Sequence, residues 1–104
     1  MDEKTELEEY QEFVKASRKQ NDKEYFVTYP VIGMCAEAGE VLEIIQKGIR
    51  KGEMDWDKQV DKFRDELGDV IWYLACVCND LGITIDEVIE HNIDKLRKRH
   101  NVSA

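Results

Sequence analysis

Residues 31–51 read VIGMCAEAGEVLEIIQKGIRK, and residues 56–81 read WDKQVDKFRDELGDVIWYLACVCNDL. Each stretch carries one short acidic tetrad, Glu37-Ala38-Gly39-Glu40 in the first and Glu66-Leu67-Gly68-Asp69 in the second. Both follow the pattern acid, any residue, glycine, acid. Around them the apolar residues recur at helical spacing: Val41, Leu42, Ile44, Ile45 and Ile49, then Val60, Phe63, Leu67, Val70, Ile71 and Leu74. That periodicity predicts two long amphipathic helices with stripes wide enough to be covered on more than one side. Residues three apart share a helix face, so each tetrad sets two carboxylates side by side. Antiparallel packing of the two helices gathers four carboxylates, which repel one another and resist burial unless a divalent cation offsets them. Glycine inside a helix costs roughly 1 kcal/mol relative to alanine, so Gly39 and Gly68 are expected to admit a close neighbour.

Outward from these two stretches the helical signals continue. Leu7, Tyr10, Phe13 and Val14 predict a first helix over about residues 4–20, and residues 21–28 read as a connector carrying Tyr25, Phe26 and Val27. Pro30 suits a first helical turn. Gly52 to Asp55 closes the second helix, with Asp55 as N-cap of the third, and Gly82 stops the third. Thr84 to Glu87 fits a capping box for a fourth helix reaching about Arg99, with its cations near the C-terminus. No alternating strand pattern of any length is present, so the fold class is all-α, a four-helix bundle-like domain spanning residues 1–104.

Composition narrows the function. The chain is 42% hydrophobic and 37% charged with one proline, the balance of a folded helical protein. Its net charge of −8 argues against a nucleic-acid partner held by bulk electrostatics, though not against a phosphate substrate neutralised by a bound cation. Neither an apolar run of membrane-spanning length nor a signal-peptide pattern is seen, so no membrane partner and a cytoplasmic location are expected. Cys35, Cys76 and Cys78 lack metal-binding or redox spacing and read as reduced packing residues. A di-iron carboxylate bundle needs Glu-x-x-His on two helices, but the positions in question are Glu40 and Asp69, and the two histidines, His91 and His100, lie late in the chain. An all-oxygen set suits Mg²⁺, with Mn²⁺ as a possible substitute.

Taken together, Glu37-Ala38-Gly39-Glu40-Val41 and Glu66-Leu67-Gly68-Asp69-Val70-Ile71-Trp72-Tyr73-Leu74 resemble the MazG-like branch of the all-α nucleoside triphosphate pyrophosphohydrolases, with the likeness running from about Met34 to Arg99. One departure stands out: Ala36-Glu37 occupies the place of the family's adjacent acidic pair, which bears on how a second or third metal ion would be held. The resemblance implies that Glu37, Glu40, Glu66 and Asp69 bind Mg²⁺. It also implies hydrolysis of a nucleoside triphosphate, plausibly a deoxynucleoside triphosphate, to monophosphate and pyrophosphate in nucleotide-pool housecleaning. Glu37 or Glu40 is then the expected base.

Lys47 lies two turns past Glu40 on its face and either meets the triphosphate or stays a solvated lysine. Tyr73, one turn past Asp69, either contacts the nucleotide or packs. By resemblance Asn92 and Lys95 reach the nucleotide from the last helix. Trp56 and Trp72 read as packing or subunit-interface residues. The apolar surface exceeds what one small bundle hides, so a homo-oligomer is expected, a dimer or a tetramer by resemblance. A rival reading keeps the fold and the metal but gives up turnover: a helical interaction or nucleotide-sensor module.

Overall fold

A computed structural model describes residues 3–18, 25–52 and 54–101. Four helices account for most of them: α1 (Glu6–Ser17), α2 (Thr28–Lys51), α3 (Trp56–Leu81) and α4 (Ile85–His100). No strand is found among the described residues, so the all-α expectation holds.

The helix ends follow local chemistry. Thr5 caps α1 by accepting from the Glu8 N–H, Asp55 caps α3 by accepting from the Asp57 N–H, and Thr84 caps α4 by accepting from the Glu87 N–H. Gly52 and Gly82 end α2 and α3 in the left-handed conformation, at φ 68° and 71°, where a side chain would be strained. Pro30 sits buried in the first turn of α2. The first helix is shorter than its sequence pattern, and residues 21–24 of the expected connector lie outside the described residues.

The short Gly52–Asp55 connection makes α2 and α3 antiparallel neighbours along their length, while α1 packs on α3 and on α4. α4 leaves α3 at 97°, so it does not run back along the α2–α3 pair. The buried core gathers Val14 of α1, Ala75, Cys76 and Cys78 of α3, and Ile85 of α4, with Leu7, Tyr10, Trp72, Leu74 and Ile83 against it. Cys76 and Cys78, two apart on α3, are both buried in the cluster that also holds Val14 of α1 and Ile85 of α4. Cys35 departs from the packing expectation and is exposed.

Polar groups at this end are paired. The Gln11 amide donates to Asn79 Oδ1 at 2.9 Å and to the Ile83 carbonyl at 3.1 Å, and its oxygen accepts the Ile85 N–H at 2.7 Å. The Arg18 guanidinium donates to both oxygens of Asp80, at 2.7 and 3.1 Å. Trp72 Nε1 donates to Ser17 Oγ at 3.1 Å and its ring packs against the core, so Trp72 takes part in the α1–α3 contact. These bonds tie α1 to the α3–α4 corner.

The rest of the chain is spread out. Its radius of gyration is 16.8 Å with extents of 53 × 44 × 24 Å, against about 13 Å for a compact domain of this length. Large apolar side chains remain exposed along α2 and α3, among them Leu42, Ile49 and Leu67. No single helix among the described residues is long and apolar enough to cross a membrane.

Candidate metal centre

The register of α2 against α3 decides which side chains meet. A Cβ at Gly33 would overlap the Tyr73 ring, so these positions face each other across the helix pair. Seven residues on, two turns along each antiparallel helix, Glu40 meets Glu66; seven further, Lys47 and Gln59 line one groove. The site is therefore one layer of a seam whose pairs recur every two turns.

Glu37, Glu40 and Glu66 each place a carboxylate oxygen within 4.8 Å of the others. Asp69 lies outside that set and is exposed, but its charge acts on both Glu37 and Glu66. One oxygen each of Glu37 and Glu66, Oε2 in both, is buried without a hydrogen-bond partner among the described residues. A carboxylate oxygen shielded from water with no donor is unfavourable. The cluster carries the electrostatic mark of this arrangement. The hydrogen bond with Glu40, then burial, then the charges of Glu40, Glu37 and Asp69 push the Glu66 carboxyl up to about 7. Burial foremost, followed by the charges of Glu40 and Asp69, also raises Glu37.

Beside the cluster, between α2 and α3, runs a groove of about 290 Å³. Glu40 and Glu66 form one end; Ile44, Lys47 and Gly48 of α2 and Gln59 and Lys62 of α3 continue it. Its size sits at the lower end of the ~300–1,000 Å³ typical of small-molecule sites.

The other expected residues fall in different places. Lys47 is in the groove. Tyr73 is half-buried, its ring held against Gly33 and edge-on to Trp72 with centroids 5.2 Å apart. Asn92 and Lys95 are exposed on α4, and neither lines the groove. Gly39 and Gly68 overturn the close-approach expectation within this chain: nothing lies within 4 Å of a Cβ at either. The intimate glycines are Gly33, against Tyr73, and Gly48, against the Met54 sulfur. Sequence reasoning also missed Gln59, although its place seven before Glu66, on the same helix face, was a usable signal.

Comparison with known proteins places the chain in a family. A relative in Mycobacterium phage L5, named Gene 37 protein, is 34% identical over 74 residues, a match covering 70% of this chain and 65% of the phage protein, so the chain spans slightly less than two thirds of that relative. No solved structure gives a significant match. Residues 31–103, which contain both tetrads, the groove and α4, match the family described as MazG nucleotide pyrophosphohydrolase domain, and the chain belongs to that family.

Proposed function

We propose that this chain hydrolyses nucleoside triphosphates, deoxynucleoside triphosphates being the expected pool, to the monophosphate and pyrophosphate with the help of Mg²⁺. The observation that carries this reading is the carboxylate trio with its two buried, unpartnered oxygens at the end of a ligand-sized groove. The family is generally metal-dependent. These residues fit a hard divalent cation on their own chemistry, because the donors are all carboxylate oxygens and one oxygen each of Glu37 and Glu66 lacks a hydrogen-bond partner among the described residues. Glu37, Glu40 and Glu66 would hold it, with Asp69 completing the acidic set; Mn²⁺ would serve in place of Mg²⁺. Such an ion neutralises phosphate charge and acidifies water.

The chain's own residues supply the remainder. A carboxylate of the cluster, Glu37 or Glu40, takes a proton from the attacking water as its oxygen bonds to the α-phosphorus, and the bond to the bridging oxygen breaks to release pyrophosphate. Lys47 lines the same groove one layer along the seam, and its long side chain can extend toward phosphate charge at the cluster.

The exposed apolar faces of α2 and α3, the extended shape and the open surface at Gly39 and Gly68 favour a homodimer or homotetramer. In such an assembly Asn92 and Lys95 of one copy would serve the groove of another.

The test is a panel of ribo- and deoxynucleoside triphosphates with and without Mg²⁺, resolving monophosphate plus pyrophosphate from diphosphate plus phosphate. Metal-dependent pyrophosphate is the expected product. Binding without turnover would replace this reading with the sensor module.

A further inference from the structure

The groove beyond the carboxylates holds a second unsatisfied group. Gln59 is only 9% exposed, lines the groove, and its Oε1 has no hydrogen-bond partner among the described residues. Buried side-chain amides are normally paired, and leaving one unpaired costs roughly 1–3 kcal/mol. The chain shows the ordinary solution at Gln11, whose amide is fully engaged. Gln59 is thus an exception that calls for a partner from outside the chain.

From this position we infer that Gln59 reads the nucleobase: the base of the bound nucleotide enters the groove and an N–H on its edge donates to the Gln59 oxygen. This rests on the proposed nucleotide substrate. Three features favour a base over a polyphosphate at this end. Around Gln59 the lysines Lys47, Lys51 and Lys62 are interspersed with Glu43 and Asp65, so most of their charge is offset within the lining. Its recessed polar group is a neutral amide, which presents acceptor and donor on one planar edge, as the bases do. Ile44, Gly48 and the lysine stems supply apolar contact to a flat ring. Gln59 lies seven residues, ~10 Å along α3, from Glu66, so a base there leaves its phosphates at the carboxylate cluster. A site built around a hydrogen bond also discriminates strongly, because a base that cannot make it leaves the amide unpaired.

The experiment compares wild type with Gln59→Met, which keeps length and loses the amide, and with Gln59→Glu, which keeps shape but changes the donor–acceptor pattern. Each is assayed for kcat/KM over a base panel and on a base-free ribose triphosphate, and the same panel is measured as binding by calorimetry with Mg²⁺. Expected are a wild-type preference among bases of about tenfold or more, its collapse in Gln59→Met, a reordered ranking in Gln59→Glu, and an unchanged rate on the base-free substrate. An unaltered ranking in both variants, a wild type indifferent to the base, or an equal loss on the base-free substrate overturns the inference. If Gln59→Met does not fold, the ranking of Gln59→Glu decides. Base-ranked binding without turnover sinks the pyrophosphohydrolase reading alone; turnover without base ranking sinks this inference alone.

Discussion

The two glutamines buried among the described residues sit in opposite circumstances. Gln11, at the α1–α3–α4 end, has its side-chain amide bonded to Asn79, to the Ile83 carbonyl and to the Ile85 N–H. Gln59, between α2 and α3, has an oxygen with no hydrogen-bond partner among the described residues, and so do Glu37 and Glu66 further along the same seam. One end has used its polar groups to close a fold. The other has buried polar atoms and left them open, which a folded protein sustains only where a ligand supplies the missing interaction or the rest of the fold offsets the cost.

The largest effect that sharpens this contrast is expected at the carboxylates. Glu40→Gln should lower the steady-state rate by a factor on the order of 10³, since it removes a charge on which metal and phosphate binding depend. Its metal-free melting temperature should match or exceed the wild type, because a repulsion has gone. Asp69→Asn should also abolish most turnover, although Asp69 stands outside the tightest set. Full activity in either variant would break the proposed site.

At the closed end the signs reverse. Gln11→Leu strands the Ile85 N–H and Asn79, and should cost roughly 3 kcal/mol of stability in denaturant titration. The specific activity of the folded fraction should stay near the wild-type value. A variant that lost activity without losing stability would erase the distinction between the two ends.

Acidity should separate them next. Glu66 titrates near 7 in the folded protein and near the ordinary carboxylate value of 4.5 when unfolded, so between those limits the folded state holds more protons. Metal-free stability should therefore fall as pH rises from 4.5 to 7, and the contribution is fully present only below 4.5. The metal requires the ionised carboxylate, so Mg²⁺ affinity should weaken by up to about tenfold per unit as pH drops below 7, with proton release on binding. Calorimetry in buffers of different ionisation enthalpy reads that proton directly; no proton release at pH 6.5 would refute it.

The smallest effects concern the glycines. Gly33→Ala forces the Tyr73 ring to move, and overpacking of about 1–3 kcal/mol should outweigh the gain of about 1 kcal/mol in helix propensity. Gly39→Ala meets nothing within the chain and should stabilise α2 by up to ~1 kcal/mol. If a second copy packs on that face, the same change should instead weaken the assembly, visible as dissociation by light scattering on dilution.

Much of this was readable in the residues. Asp55 and Thr84 as caps, Gly52 and Gly82 as stops, and the limits of α3 were all legible, because caps and glycine terminations act within a few residues of where they are written. The acidic tetrads were legible as carboxylate pairs for the same reason: three-residue spacing on a helix is a local fact. Gly39 and Gly68 meet no neighbour within the chain: helix propensity tells that a glycine is costly, not which neighbour repays it.

The sequence by itself determined four helices, the caps and stops of α3 and α4, the amphipathic faces and the acidic character of one seam, since periodicity and capping need no knowledge of distant residues. Only the tertiary structure decided that Gly33 rather than Gly39 receives a side chain, that α4 turns away at 97°, and that Gln59 joins Lys47 in a groove beside Glu40 and Glu66. The physical reason is register. Which faces meet depends on how two long helices slide and rotate against each other to bury the most apolar surface, and that is a property of the packed pair that neither helix carries alone.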